Sequence, residues 1–90
     1  MFTEYKSLKK GTIIHAYHIN KYDFISEEYE QDEDTPLRLK LKGTRMLKAE
    51  GHTPVFFTSK VKVSPGDYLI QTEEGIFHRY AHSFISIYGL

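Results

Sequence analysis

Apolar residues in this chain never run more than three in a row, as at Val55-Phe56-Phe57, and between turn signals they tend to recur at alternate positions. That pattern fits half-buried strands and excludes a membrane-spanning helix, which needs about 20 apolar residues in succession. The stretch from Met1 to Lys10 is polar and interrupted, so no secretory signal segment is expected there. Over residues 12–19, Ile13, His15, Tyr17 and Ile19 share one face and Ile14, Ala16 and His18 the other, which predicts a strand. Leu37, Leu39 and Leu41 alternate with Arg38, Lys40 and Lys42, predicting a strand with one buried and one basic face. Residues 44–49 read as a further short strand. Residues 55–63 read as another, with Phe57, Ser59, Val61 and Val63 on one side.

Turn chemistry orders the rest. In Ser64-Pro65-Gly66-Asp67 the proline presets φ at the second position and the glycine supplies positive φ at the third, as a type II turn requires. Asp67 is placed to accept turn amides. Residues 68–72 then form an outgoing strand, Glu73-Glu74-Gly75 turns the chain, and residues 76–80 return antiparallel. Asn20 offers an N-cap, and Tyr22, Ile25 and Tyr29 recur at helical spacing, which predicts a short helix that fades before Pro36. Residues 82–88 predict a second short helix, with Phe84 and Tyr88 on one face and Gly89 at its end. The expectation is one α+β domain over residues 1–90, a mainly antiparallel sheet with both helices on one face. Leu37, Leu39, Leu41, Val61, Val63, Leu69, Phe84 and Tyr88 are its expected core.

With 12 basic and 12 acidic residues the chain is formally neutral, which argues against binding nucleic acid through a bulk field. There is no cysteine, so disulfides, thiolate zinc sites and cysteine nucleophiles are excluded, and an intracellular setting is compatible. The serines lack a nucleophile-elbow context, and the histidines at 15, 18, 52, 78 and 82 match no metal motif. No catalytic residue, metal or cofactor is expected. Seven tyrosines and six phenylalanines exceed what so small an interior needs, which favours a surface or cleft used for binding. The same aromatic surface, with open strand edges, makes a homodimer an expected way of covering both.

The segment Ser64-Pro65-Gly66-Asp67-Tyr68-Leu69-Ile70, then Glu74-Gly75-Ile76-Phe77, then Phe84 and Tyr88, resembles a group of small phage and prophage proteins. Those proteins share a Pro-Gly-Asp-aromatic-aliphatic-Ile strand, a hairpin return and a closing Phe-x3-Tyr. The N-terminal half is compatible, with Ile14-His15-Ala16 leading into Lys21 and Tyr29. Departures from the pattern are Ile76, where a glutamate is common, and Phe77-His78, where a Tyr-Pro step is usual. The resemblance implies an accessory protein of a bacterial virus or prophage, working in the host bacterial cytoplasm. It implies no catalytic residue.

Two surfaces are candidates for binding. Arg38, Lys40, Lys42 and Arg45, with Arg79 and His78, are groups that can hold an anionic small molecule, and Tyr17, Tyr68 or Tyr80 can stack on a base. The plainer reading of the basic face is a solvated sheet face that keeps the strands soluble. The acidic run containing Glu30, Asp32, Glu33 and Asp34 is either a solvated loop, a cover for that face or an epitope for a basic protein surface. The expected function is non-enzymatic: binding a host protein, or sequestering a nucleotide-like signal, so as to counter host defence or regulation. The alternative is a nucleotide-directed enzyme or a phage structural or assembly component.

Overall fold

The computed structural model describes residues 1–26 and 44–89. They form one small domain built on a mainly antiparallel sheet. Its strands are β1 (Thr3–Lys6), β2 (Ile13–His18), β3 (Phe24–Ser26), β4 (Thr44–Lys48), β5 (Val55–Thr58), β6 (Tyr68–Thr72) and β7 (Gly75–Arg79), followed by one helix, α1 (Ala81–Tyr88). The strand order is β1-β2-β6-β7-β5-β4-β3. Every pairing is antiparallel except β5 with β7, which run parallel and meet at Thr58 opposite Phe77. No described helix is long and apolar enough to cross a membrane.

Pairing parity splits the apolar residues between two cores, one on each side of the sheet. On one side Leu47, Phe57 and Leu69 meet Ile19, Ala49 and Val63 from the connections, with Tyr17, Ile25, Val55 and Ile76 packed around them. On the other side Ala16, Tyr68 and Ile70 receive Phe84 of α1, with Tyr5, Ile14 and Tyr88 at the margin. The aromatic contacts there are specific: Tyr68 stacks on Phe84 at 3.8 Å and His18 stacks on Tyr68 at 4.5 Å, while Tyr5 meets Phe84 edge-on at 4.9 Å. This packing holds an eight-residue helix that is too short to be stable alone.

The helix predicted from Asn20 is not formed over the described residues. The Asn20 side chain accepts the Tyr22 amide at 2.8 Å and its carbonyl accepts the Asp23 amide at 3.0 Å, which makes a single turn. The chain then enters β3, where Phe24 and Ile25 pair with Lys48 and Leu47. Strand pairing overrode the cap signal because aromatic and β-branched residues there suit a sheet at least as well as a helix. The strand predicted over 55–63 stops at Thr58. Ser59 Oγ bonds both the Val61 carbonyl, at 2.9 Å, and the Val61 amide, at 3.3 Å. That local turn ends the strand, and Val61 is 42% exposed, so it is not a core residue. Val63, Leu69 and Phe84 are buried and Tyr88 is partly so. Leu37, Leu39 and Leu41, with Tyr29 and Pro36, lie outside the described residues. Strand β1 carried no alternation strong enough to predict it and pairs with β2 from Thr3–Ala16 to Lys6–Ile13.

Candidate functional site

The connection from β5 to β6 covers residues 59–67, and both of its ends bond to one side chain of β7. Ser59 Oγ lies 3.2 Å from His78 Nδ1, and His78 Nε2 lies 2.9 Å from Asp67 Oδ2. The carboxylate is an acceptor only, so Nε2 carries the hydrogen in that contact. Asp67 also accepts the Ser64 amide on Oδ2 at 3.1 Å and the Ala81 amide on Oδ1 at 3.0 Å. The second of these bonds caps α1. The residue at the helix N-cap, Tyr80, makes no side-chain cap bond, and the first turn holds no acidic residue. Asp67 therefore supplies, from 14 residues upstream, both the missing acceptor and the negative charge that a helix N-terminus favours.

The turn beneath Asp67 has the geometry its sequence asks for. Gly66 has φ of 98°, a value other residues avoid, and the Asp67 amide reaches back to the Ser64 carbonyl at 3.1 Å. The Asp67 carbonyl accepts the Ile19 amide at 2.9 Å, tying the turn to the end of β2. Burial pushes the Asp67 carboxyl up, but the bonds from His78, Ser64 and Ala81, with the attraction of His78, outweigh it and hold the group below the usual carboxylate range.

Ser, His and Asp in contact invite comparison with a nucleophilic triad. The chemistry here points elsewhere. Ser59 is only 6% exposed, and its one hydrogen has two acceptors in reach, the Val61 carbonyl and His78 Nδ1. A hydroxyl so enclosed meets no substrate carbonyl in this conformation, and all three side chains spend their polar atoms on the fold. Among the described residues no group of three or more His, Asp or Glu side chains converges as a metal site would require.

The remaining sequence candidates do not converge. Arg38, Lys40 and Lys42, and the acidic Glu30, Asp32, Glu33 and Asp34, lie outside the described residues. Arg45 is half-buried on β4 opposite Phe57, with Nη1 enclosed and without a hydrogen bond. Arg79 is exposed on β7 opposite Tyr68. By pairing parity these two arginines point to opposite sides of the sheet. Tyr68 is 1% exposed, with its ring covered by His18 and Phe84, so it offers no face to a ligand. His78 is committed to Ser59 and Asp67. Tyr17 donates its hydroxyl to Asp23 Oδ2 at 2.6 Å; burial first, then that bond and the carboxylate charge, push its pKa up to about 12. Tyr80 is exposed, edge-on to His78 at 5.2 Å and stacked with His82 at 5.7 Å.

One surface was not anticipated. Phe24 and Phe77 are 60% and 41% exposed on the side of the sheet that α1 covers only over β1, β2 and β6. The register puts Thr58, Phe56, Met46 and Ser26 on that side as well. The strands from β7 to β3 span about 14 Å at ordinary strand spacing. Alternation hid this surface because both sides of each strand carry apolar residues. Compared with known protein families, with curated proteins and with solved structures, the chain matches none.

Proposed function

We propose that this is a small phage- or prophage-type accessory protein that acts by binding a host protein and carries out no chemical step itself. The reading is carried by the exposed aromatic side of the sheet, where Phe24 and Phe77 stand well out of the surface. Large apolar side chains held on a rigid sheet lose little entropy on binding and are typical anchors of protein interfaces. Charged residues lie beside them, Lys48 opposite Phe24 and the exposed Arg79 two positions from Phe77, which gives the patch a polar rim. The likeness of the Ser64–Ile70 strand and the Phe84/Tyr88 close to phage and prophage proteins supports the biological setting. The enclosed Ser59–His78–Asp67 relay supports a non-catalytic role, since the one triad-like constellation among the described residues is used to join elements of the fold.

The test is capture of host proteins from a bacterial lysate by the intact chain and by a Phe24→Ser/Phe77→Ser variant, with circular dichroism to check that the variant is folded. A host protein retained by the parent and lost with the variant fits the proposal. Equal capture by both removes this surface from consideration.

A further inference from the structure

We propose that the cleft between the β1–β2 turn and the last turn of α1 binds a small phosphate-bearing molecule with a flat ring, of the nucleoside monophosphate class. This inference is independent of the protein-binding reading and uses different residues. The cleft has a volume of about 680 Å³ and is lined by Ser7, Lys9, Lys10, Thr12, Ser86 and Tyr88, among others. That size lies within the range of small-molecule sites, roughly 300–1,000 Å³. Among the described residues its lining holds two ammonium groups, three aliphatic hydroxyls and one phenol ring, and no carboxylate.

The turn is fixed before any ligand arrives. The Ser7 amide bonds the Thr12 carbonyl at 2.8 Å, the Gly11 amide bonds the Ser7 carbonyl at 3.1 Å, and the Lys10 amide bonds Ser7 Oγ at 3.1 Å. The Leu8 amide reaches across to the Ile87 carbonyl at 3.0 Å and joins the turn to the helix. Lys9 and Lys10 thus sit next to each other on a pinned backbone, and neither forms an ion pair among the described residues. Like charges held together without a counter-ion repel, and an anion in the cleft relieves that repulsion. The end of α1 presents less negative potential than a bare helix end, because the Ile87 and Ile85 carbonyls already accept the Leu8 and Gly89 amides. Lysine suits phosphate as a point charge, and the Ser7 and Thr12 hydroxyls can donate to its remaining oxygens, whereas the Ser86 hydroxyl is spent on the Ser83 carbonyl at 2.9 Å. Tyr88 packs on Phe84 at 4.6 Å and is partly exposed, so the open part of its ring is what a base can stack on.

The competing account is that these lysines only offset the negative end of α1. The two separate by titrating isotopically labelled protein with AMP and with inorganic phosphate at low ionic strength, reading amide shifts by NMR. Saturable shifts confined to residues 7–12 and 86–88, tighter for AMP than for phosphate, are the expected result. A Lys9→Glu/Lys10→Glu variant should bind AMP about a hundredfold more weakly, two charge-assisted contacts of about tenfold each. Both side chains are exposed, so the variant should keep its fold. No saturable shift at these residues, shifts spread over every lysine, equal affinity for phosphate and AMP, or unchanged binding by the variant overturns the proposal. Capture of a host protein by the sheet face is untouched by any of these outcomes.

Discussion

Replacing Asp67 by Asn should cost the protein about 3 kcal/mol. The carboxylate accepts three bonds, from His78, Ser64 and Ala81, all between 2.9 and 3.1 Å. Bonds to a charged acceptor contribute about 1.5–3 kcal/mol each. Asparagine keeps one acceptor oxygen and presents an NH2 group where an amide or imidazole hydrogen already points. One or two of the three bonds are therefore lost, which puts the cost at about 3 kcal/mol. A domain of this length has a total stability of about 5–13 kcal/mol, so the change removes a large share of it. Urea unfolding followed by tyrosine fluorescence and circular dichroism measures it. With a slope near 1–1.5 kcal/mol per M, the midpoint should fall by about 2–3 M at unchanged slope. Amide exchange should show Ala81 to Phe84 losing protection before β4 does, since Asp67 caps α1. A loss below about 1 kcal/mol with the slope unchanged would falsify the claim that this relay holds the helix to the sheet.

The same site sets an acid limb. The Asp67 carboxyl lies below its ordinary value in the fold. A carboxylate of that kind contributes fully above the unfolded pKa, about 4, and its contribution disappears as pH falls through the lower folded value. Wild-type stability should therefore fall below about pH 4, and the Asp67→Asn protein should fall less steeply over the same interval. Parallel acid limbs in the two proteins would place the responsible carboxylate elsewhere.

Single positions carry further expectations. Leu69→Ala, at a fully buried site in the larger core, should lose about 2–5 kcal/mol in the same urea assay. Gly66→Ala meets no atom within 4 Å, so its cost is the positive φ alone, about 1–2 kcal/mol; a neutral result would mean the turn rearranges. Tyr17 should be the last tyrosine seen to ionise by ultraviolet absorbance, near pH 12, and its contribution to stability is lost as pH rises from about 10 towards that value. Tyr17→Phe should remove that late step while leaving the earlier ones in place.

Local chemistry was readable where neighbours in sequence are neighbours in space. The Pro65-Gly66 turn, the hairpin through Glu73-Glu74 and the short helix carrying Phe84 all depend on residues a few positions apart, and each occurs close to where the pattern put it. Asn20 shows the limit of that reading. Its side chain does bond the backbone two residues on, as a cap would, but a cap and an isolated turn begin alike. The path of the chain beyond that turn is decided by β4, a strand reached only after residues 27–43. The alternation over 55–63 failed for a smaller reason. One hydroxyl, that of Ser59, closed a turn on Val61 and ended the strand.

The relay itself was illegible because it depends on the one parallel pairing in the sheet. Asp67 was recognisable as a turn acceptor, and His78 as a residue of the returning strand, but nothing local links either to Ser59, which is 19 residues from His78. Once β6 and β7 form a hairpin and β5 lies against the outer edge of β7, the connection over 59–67 has to cross from one side of β7 to the other. Its first and last residues then fall on either side of β7's inward-facing histidine. Ser59 and Asp67 bond to opposite nitrogens of that ring, so the side chains that bound the crossover also close it. A serine-to-alanine change at 59 should therefore loosen β5 from β7, while the Asp67 change loosens α1. In a Ser59/Asp67 double-mutant cycle the two effects should couple by more than about 0.5 kcal/mol, because both act through His78; strict additivity would mean that the ring does not join them.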